Sequence, residues 1–285
     1  MEFTFEEIEG IQDPLDRTKA AHERLGQFQE AVTELTRLRR EGVEQLQAAG
    51  WKPTEIAVHL GVTRQRVEQI GKNGPTPARA FLGRGNQVII AVGEKTEAPK
   101  EGGRPGGPAV ATEDLVAYET LSHLARDLKM DVQFEGISPP GLFDTNRENL
   151  IVACGPRLSP VVAQLLAGDP CLGFSKDDQG WYLVDRDLDE EYRSPSDRGV
   201  PADYAYLGRL PRLDGKGSFL YMGGIHSAGA AGAAHWITNN LSEIYSAVGA
   251  KGLFSTLIKC EYSTSPLRVT SSERVSPIYR REVAS

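Results

Sequence analysis

The sequence has few cysteines and no long apolar run. Its three cysteines, Cys154, Cys171 and Cys260, are scattered and odd in number, which argues against a disulfide framework and fits a reducing compartment. No apolar run reaches the length of a membrane span. The acidic start MEFTFEEIEG lacks the basic-then-apolar pattern of a secretory leader. We therefore expect a cytoplasmic protein that does not bind a membrane.

Several catalytic and cofactor motifs are also missing. Without CxxC or HExxH, we expect no metal site. The stretch GGIHSAGAAG lacks the GxGxxG spacing and has no lysine where a P-loop needs one, which speaks against nicotinamide binding and ATP hydrolysis. Ile225 stands where a nucleophile elbow needs glycine, so Ser227 is not expected to attack an acyl group. We assign no catalytic residue and no cofactor.

Charge is unevenly distributed along the chain. The 285 residues suit two domains, and the net charge is −7. Residues 1–50 carry six Lys/Arg and eleven Asp/Glu, whereas residues 51–80 carry five Lys/Arg and two Asp/Glu. This local positive excess leaves room for a nucleic-acid-binding surface on an acidic protein.

Residues 14–49 have the pattern of one long helix. Leu25, Phe28, Val32 and Leu35 alternate steps of three and four, which is a heptad seam. Such a face packs either on its own domain or against a second copy of the helix, and two heptads do not decide between these alternatives.

Residues 53–72 predict two short helices around Gly61, the arrangement of a helix-turn-helix. The small residue Ala57 allows close helix crossing, Gly61 permits the turn, and Val67 packs between the helices. We expect Ile56, Leu60, Val62 and Ile70 to complete this small core. Polar residues then lie on or near the outer side of the second helix, where arginine and glutamine can reach base edges and threonine can bind a phosphate. The predicted DNA contacts are Thr63, Arg64, Gln65, Arg66, Gln69 and Lys72.

The segment WKPTEIAVHLGVTRQRVEQI resembles the DNA-binding region four of bacterial sigma factors. It is also similar to the helix-turn-helix of many actinobacterial regulators in which a long helix like RLRREGVEQLQAAG comes first. The resemblance covers about residues 14–72, and GVTRQRVEQI is its most specific part. It implies that Arg64, Gln65, Arg66 and Gln69 face DNA.

Composition changes after this segment. The run GKNGPTPARAFLGRGN is rich in glycine and proline, which indicates a linker. From residue 87, β-branched strands such as QVIIAVG and NLIVACG alternate with helical segments. We therefore expect an α/β protein: a helical domain over 1–74, a linker over 75–86, and a Rossmann-like, mostly parallel α/β domain over 87–285.

Two stretches of the second domain share one layout. LIVACGPRLSP and FLYMGGIHSAG each run from an apolar strand through a short turn into a helix. Backbone N–H groups at such a helix start attract anions, and Arg157 can add a bidentate contact. Tight helix–sheet packing without any ligand would use the same small residues. The predicted ligand-binding residues are Gly155, Pro156, Arg157, Ser159, Gly223, Gly224, His226, Ser227 and Gly229.

The paired CGPRLSP and GGIHSAG turns resemble an uncharacterised sensor-like domain of bacterial regulators. Together these features predict a transcription regulator that binds double-stranded DNA as a homodimer and senses a small anionic ligand such as a nucleotide. Two alternatives stay open. One is a nucleotide-processing enzyme that uses Arg157, Asp144 or His226 and is targeted to DNA. The other is a ligand-free DNA-binding protein whose α/β domain only oligomerises.

Overall fold

The computed structural model describes residues 6–72, 77–83, 85–98 and 106–281. The chain divides into two compact units, Met1–Thr76 and Pro77–Ser285. Among the described residues, no helix combines the length and the apolar composition that a membrane span requires.

The described part of the first unit is helical. Its helices are α1 (Glu6–Glu9), α2 (Pro14–Ala48), α3 (Pro53–Leu60) and α4 (Arg64–Lys72). The long helix α2 starts where Asp13 Oδ1 accepts a hydrogen bond from the Asp16 N–H at 2.9 Å, with proline at the first helical position. It ends just before Gly50, whose φ of 91° only glycine adopts easily. The predicted long helix is confirmed.

The second unit begins earlier than the sequence indicates. Residues 77–82 form a helix whose Phe81 and Leu82 are buried in the core of this unit. This part of the predicted linker over 75–86 is therefore the first element of the α/β unit. Residues 75, 76 and 84 lie outside the described residues.

The second unit is a mixed α/β structure. Its helices are α5 (Pro77–Leu82), α6 (Thr112–Asp127), α7 (Pro160–Ala167), α8 (Ser227–Asn239) and α9 (Leu241–Val248), with a short 3₁₀ helix at Pro195–Arg198. Its strands are β1 (Gln87–Gly93), β2 (Lys95–Thr96), β3 (Pro108–Ala109), β4 (Asp131–Ile137), β5 (Leu150–Ala153), β6 (Leu172–Asp177), β7 (Gly180–Asp185), β8 (Glu190–Arg193), β9 (Ala202–Pro211), β10 (Ser218–Gly224), β11 (Leu253–Thr264), β12 (Leu267–Arg274) and β13 (Tyr279–Arg281).

The main sheet has the strand order β12-β11-β9-β10-β5-β1-β4, and β13 also pairs with β11. Strands β4, β1, β5 and β10 are parallel, with Ile89 opposite Leu150 and Leu220 opposite Ile151. Strands β9, β11, β12 and β13 extend this half in antiparallel fashion. Strands β6, β7 and β8 form a second, antiparallel sheet.

Apolar layers cover both faces of the main sheet. Ile90 of β1 packs with residues of α5, α6, α8 and α9, whereas its neighbour Ala91 packs with α7 and the small sheet. This alternation is the period of two expected for a strand, and it accounts for the continuous apolar run of β1. The chain thus places α6 and α8 on one face and α7 on the other.

Candidate functional site

The helix pair α3 and α4 is held at a fixed angle by a short turn. Gly61 has φ 64° and ψ 32°, the left-handed conformation that favours glycine. Its N–H and that of Val62 donate to the carbonyls of Val58 and Ala57, which closes α3. Thr63 Oγ1 accepts a hydrogen bond from the Arg66 N–H at 3.2 Å and caps α4. The turn predicted from Gly61 is therefore present.

The core of this unit is smaller than the sequence predicts. Val43, Ile56, Ala57, Val67 and Ile70 are buried together, with Leu46 packed against them. Two predicted members are exposed instead: Leu60 keeps 47% and Val62 36% of their surface accessible. Because α2 packs chiefly against α4, the last turn of α3 has little to pack on.

Long polar side chains cover the outer face of α4. Arg64, Gln65, Arg66 and Gln69 are exposed, as predicted for DNA contacts. Arg64 Nε lies 2.9 Å from Glu68 Oε1, and Arg66 Nη1 lies 3.2 Å from Gln69 Oε1. Exposed pairs of this kind contribute little and exchange readily for other partners.

The other two predicted DNA contacts, Thr63 and Lys72, lie at the two ends of α4. Thr63 already uses an oxygen lone pair to cap α4, but its hydroxyl hydrogen can still donate to a phosphate. Lys72 is the last residue of α4, and its side chain lies outside the described part of the structure.

The second candidate site is a cleft at the carboxyl ends of three adjacent parallel strands. After β1 the chain crosses by α6 to β4, whereas after β5 it leads by α7 and further strands to β10 on the opposite side. Strand order therefore reverses between β1 and β5, where α/β sheets commonly bind ligands. The cleft is lined by Lys95, Asp114, Cys154, Gly155, Arg157, Leu158, Gly223, Gly224, His226, Ser227 and Ala230.

The structure brings six of the nine predicted ligand-binding residues into this cleft. They are Gly155, Arg157, Gly223, Gly224, His226 and Ser227. The cleft is open to solvent, and the space of about 330 Å³ between its atoms includes solvent at its mouth. The cleft therefore has room only for a small ligand or for one end of a larger one.

The predicted anion site at the start of α8 is partly filled by the protein itself. Asp203, at the start of β9, accepts hydrogen bonds through Oδ2 from the N–H groups of His226 and Gly229, both at 2.9 Å. Burial raises the pKa of this carboxyl to about 6. Gly229 therefore serves this contact and packs under Tyr204, whose carbonyl oxygen would lie 2.6 Å from an added Cβ. It does not line the cleft, contrary to the prediction.

Two N–H groups of α8 remain for a ligand. Among the described residues, those of Ser227 and Ala228 have no hydrogen-bond acceptor. They belong to the first turn of the helix, where no acceptor exists within the helix. Ser227 lines the cleft, so this end of α8 keeps some affinity for negative charge.

Ser159 is structural rather than ligand-binding. Its side chain is fully buried, accepts from the Val162 N–H at 3.3 Å and donates to the Gly141 carbonyl at 2.6 Å. It thereby caps α7 and anchors the loop after β4. Neither Ser159 nor Pro156 is among the residues that line the cleft.

His226 is positioned by an acid that the sequence did not single out. Its Nε2 lies 2.7 Å from Oδ1 of Asp197 in the 3₁₀ helix, and both side chains are about half exposed. This contact orients the imidazole at the rim of the cleft. Asp144, the acid of the enzyme alternative, is exposed in the loop before β5 and does not line the cleft.

The deepest ionisable groups of the cleft are Asp114 and Cys154. Asp114 lies in the first turn of α6, and 9% of its surface is accessible. Burial raises its pKa to about 7, and the charge of nearby Lys95 partly offsets this rise. Burial also raises the pKa of the Cys154 thiol to about 12. A thiol that stays protonated near neutral pH is a poor nucleophile, so the cleft favours binding over covalent chemistry.

No protein-family model, curated protein or solved structure matches this chain.

Proposed function

We propose that this protein is a DNA-binding transcription regulator that reads double-stranded DNA with α4 and binds a small anionic ligand in its α/β unit. The observation that carries the DNA-binding role is the face of α4. Arg64, Gln65, Arg66 and Gln69 project from one short helix, directly after the left-handed turn at Gly61. Arginine and glutamine are the side chains that pair bidentately with guanine and adenine in the major groove.

The packing of the helix pair supports this role. Val67 and Ile70 are buried against Ile56 and Ala57, so that α4 is fixed by its inner face and leaves its outer face to a partner. Arg64 can exchange its exposed ion pair with Glu68 for a contact to DNA at little cost. These features support a helix-turn-helix domain in which α4 is the recognition helix.

The stripe on α2 supports dimerisation. Leu25, Val32 and Leu35 keep 57%, 62% and 64% of their surface exposed although they share one face at heptad spacing. A second copy of the helix carries the same stripe, so the surface is self-complementary. A twofold dimer would present two copies of α4, and its DNA site would be a pseudo-palindrome with half-sites about 34 Å apart or a multiple of that.

The cleft supports a ligand-binding role for a Rossmann-like second unit. It opens at the carboxyl ends of β1, β5 and β10, with Arg157 exposed beside the first turn of α8. A guanidinium and helix N–H groups together favour an anion. Ligand binding regulates the protein only if the ligand binds the DNA-competent state with a different affinity from the other state.

The DNA-binding role is tested by enriching duplexes from a random pool with the full chain. The enriched duplex and a scrambled duplex are then compared by fluorescence anisotropy at fixed salt. Replacing Arg64 or Arg66 by alanine should weaken specific binding by about 1–3 kcal/mol where that side chain reads a base, and binding to the scrambled duplex less. Arg17→Ala, which removes another exposed arginine of the same unit, is the matched control and should bind like wild type. A pool without any enriched sequence, or unchanged specific affinity in both variants, would overturn the proposal.

A further inference from the structure

We infer that the ligand of the cleft is a compact zwitterion of the α-amino acid class, with its ammonium group on Asp114 and its carboxylate between Arg157 and the first turn of α8. This inference rests on the proposed ligand-binding role of the cleft and specifies its chemistry. It differs from a bare anion in requiring a positive charge on the ligand.

The ammonium half of the argument comes from Asp114. Its side chain is about nine-tenths buried and lines the cleft. None of the described residues forms a hydrogen bond or an ion pair with it, although Lys95 and Arg157 lie near enough for their charges to lower its pKa. Burying a carboxylate without a partner is costly, and natural structures rarely leave such a group unpaired. A ligand ammonium supplies both a counter-charge and hydrogen-bond donors. A bare phosphate or carboxylate in the same cleft would add a second negative charge instead.

The carboxylate half comes from the basic groups of the cleft. Lys95 and Arg157 line it, and neither forms an ion pair within the described part of the chain. The N–H groups of Ser227 and Ala228 also lack an acceptor there. Because Asp203 already holds the N–H groups of His226 and Gly229, a ligand anion is confined to the cleft side of the α8 terminus.

Asp114 lies near enough to Lys95 and Arg157 to interact with their charges, which favours a ligand with two charged groups a few bonds apart over a nucleotide. The space of about 330 Å³ includes the open mouth, so less than this is enclosed. An amino acid places its two charged groups a few bonds apart, whereas a nucleotide also needs room for a base and a ribose. Leu158 and Ala230 offer apolar contact to a short side chain, and the protonated Cys154 thiol adds no charge.

The test uses isothermal titration of the full chain with matched probes. The common free L-amino acids are titrated individually, followed by the N-acetyl and amide forms of any that bind, and by inorganic phosphate and adenosine monophosphate. At least one free amino acid should bind. Its N-acetyl form lacks the ammonium and its amide lacks the carboxylate, so each should bind about ten-fold to a hundred-fold more weakly, the range for a lost charge-assisted hydrogen bond.

Two variants locate the binding. Asp114→Asn should weaken binding of the free amino acid by a similar factor, but it should not weaken binding of the N-acetyl form, which has no ammonium group to lose its partner. Asp127→Asn makes the same substitution at an exposed site at the other end of α6 and should bind like wild type. Melting curves establish that each variant is folded.

The outcomes separate this inference from the proposed function. Failure of every amino acid to bind, or equal binding of the N-acetyl form, refutes the zwitterion. Phosphate or adenosine monophosphate binding that depends on Arg157 but not on Asp114 also refutes it, and leaves the proposed anion site intact. No binding by any probe removes both the zwitterion and support for a ligand-binding role, while the DNA-binding assay is unaffected.

Discussion

Asp114 leads to a prediction that is unusual for a point mutation, namely that its removal stabilises the protein. The carboxyl is buried in the cleft without a partner among the described residues. A site that keeps such a group for its ligand is less stable when empty than it could be. Asp114→Asn keeps the shape of the side chain and removes its charge, so the ligand-free variant should be more stable than wild type at neutral and alkaline pH.

The size and the pH dependence of this gain follow from the pKa. Burial raises the pKa of Asp114 from 3.8 to about 7, so between these pH values the folded state binds more protons than the unfolded state. The free energy of unfolding of wild type therefore falls as pH rises through this window and levels off above it. At about 1.4 kcal/mol per pKa unit, the full penalty is about 4 kcal/mol. Loss of a charge at the α6 N-terminus offsets about 0.3–1 kcal/mol, which leaves a net gain of about 3 kcal/mol above pH 7.

Thermal melts across the pH range test this reasoning. For a domain of this size 1 kcal/mol corresponds to about 2–4 °C in Tm, so Asp114→Asn should melt roughly 6–12 °C above wild type at pH 8. The difference should shrink steadily as pH is lowered towards 4. Asp127→Asn, exposed on the same helix, should show no such trend. Equal melting temperatures at pH 8, or a gain that does not depend on pH, would refute the buried, unpartnered carboxylate.

Three further predictions concern the remaining surfaces. The double variant Val32→Asp, Leu35→Asp should be a folded monomer in sedimentation equilibrium, because the two substitutions place charges in the proposed dimer seam. Leu15→Asp changes an exposed leucine outside the heptads and should leave the mass unchanged. A double variant of wild-type mass would exclude this seam. Ser159→Ala should lower the free energy of unfolding by about 1–3 kcal/mol, since the buried Gly141 carbonyl and a helix N–H lose their partner. Ligand affinity measured by titration should stay unchanged. A lower affinity at unchanged stability would show that Ser159 contacts the ligand. Arg157→Ala should have the opposite effects, namely a lower affinity for the ligand and an unchanged melting curve. A drop in Tm without loss of affinity would identify Arg157 as structural.

Local signals in the sequence were sufficient for most helices and for many strands, but not for α5, which was predicted as part of a linker. Asp13, Pro14 and Gly50 bound the long helix α2, and each acts through its own backbone or its nearest turn. Gly61 likewise predicts the turn between α3 and α4, because the turn depends on the left-handed backbone conformation of this one residue. The apolar run QVIIAVG predicted a strand, and the continuous apolar pattern has its reason in the structure, where both faces of β1 are covered.

The cleft depends on long-range pairing that no local pattern reports. Asp203 reaches the start of α8 only because β9 lies antiparallel beside β10, so its role as a cap for a helix more than twenty residues away had no sequence signal. Asp114 has the pattern of an ordinary acid in the first turn of a helix, and its burial depends on β1, β5 and β10 meeting at one edge. Leu60 and Val62 failed as core predictions for the same reason, since the packing of α2 on α4 decided which apolar residues were covered.

Site-specific crosslinking measures most directly where DNA contacts the protein. A photoreactive amino acid replaces Gln65 on the exposed face of α4, and in a second protein it replaces Gln12, an exposed glutamine just before α2. Each protein is bound to the duplex enriched from the random pool, irradiated, and the crosslinked nucleotide is mapped. The proposed function predicts a crosslink from position 65 to bases of the enriched motif and a much weaker one from position 12. Crosslinks of equal yield from both positions, or none from position 65 while the complex is intact, would show that α4 is not the recognition helix.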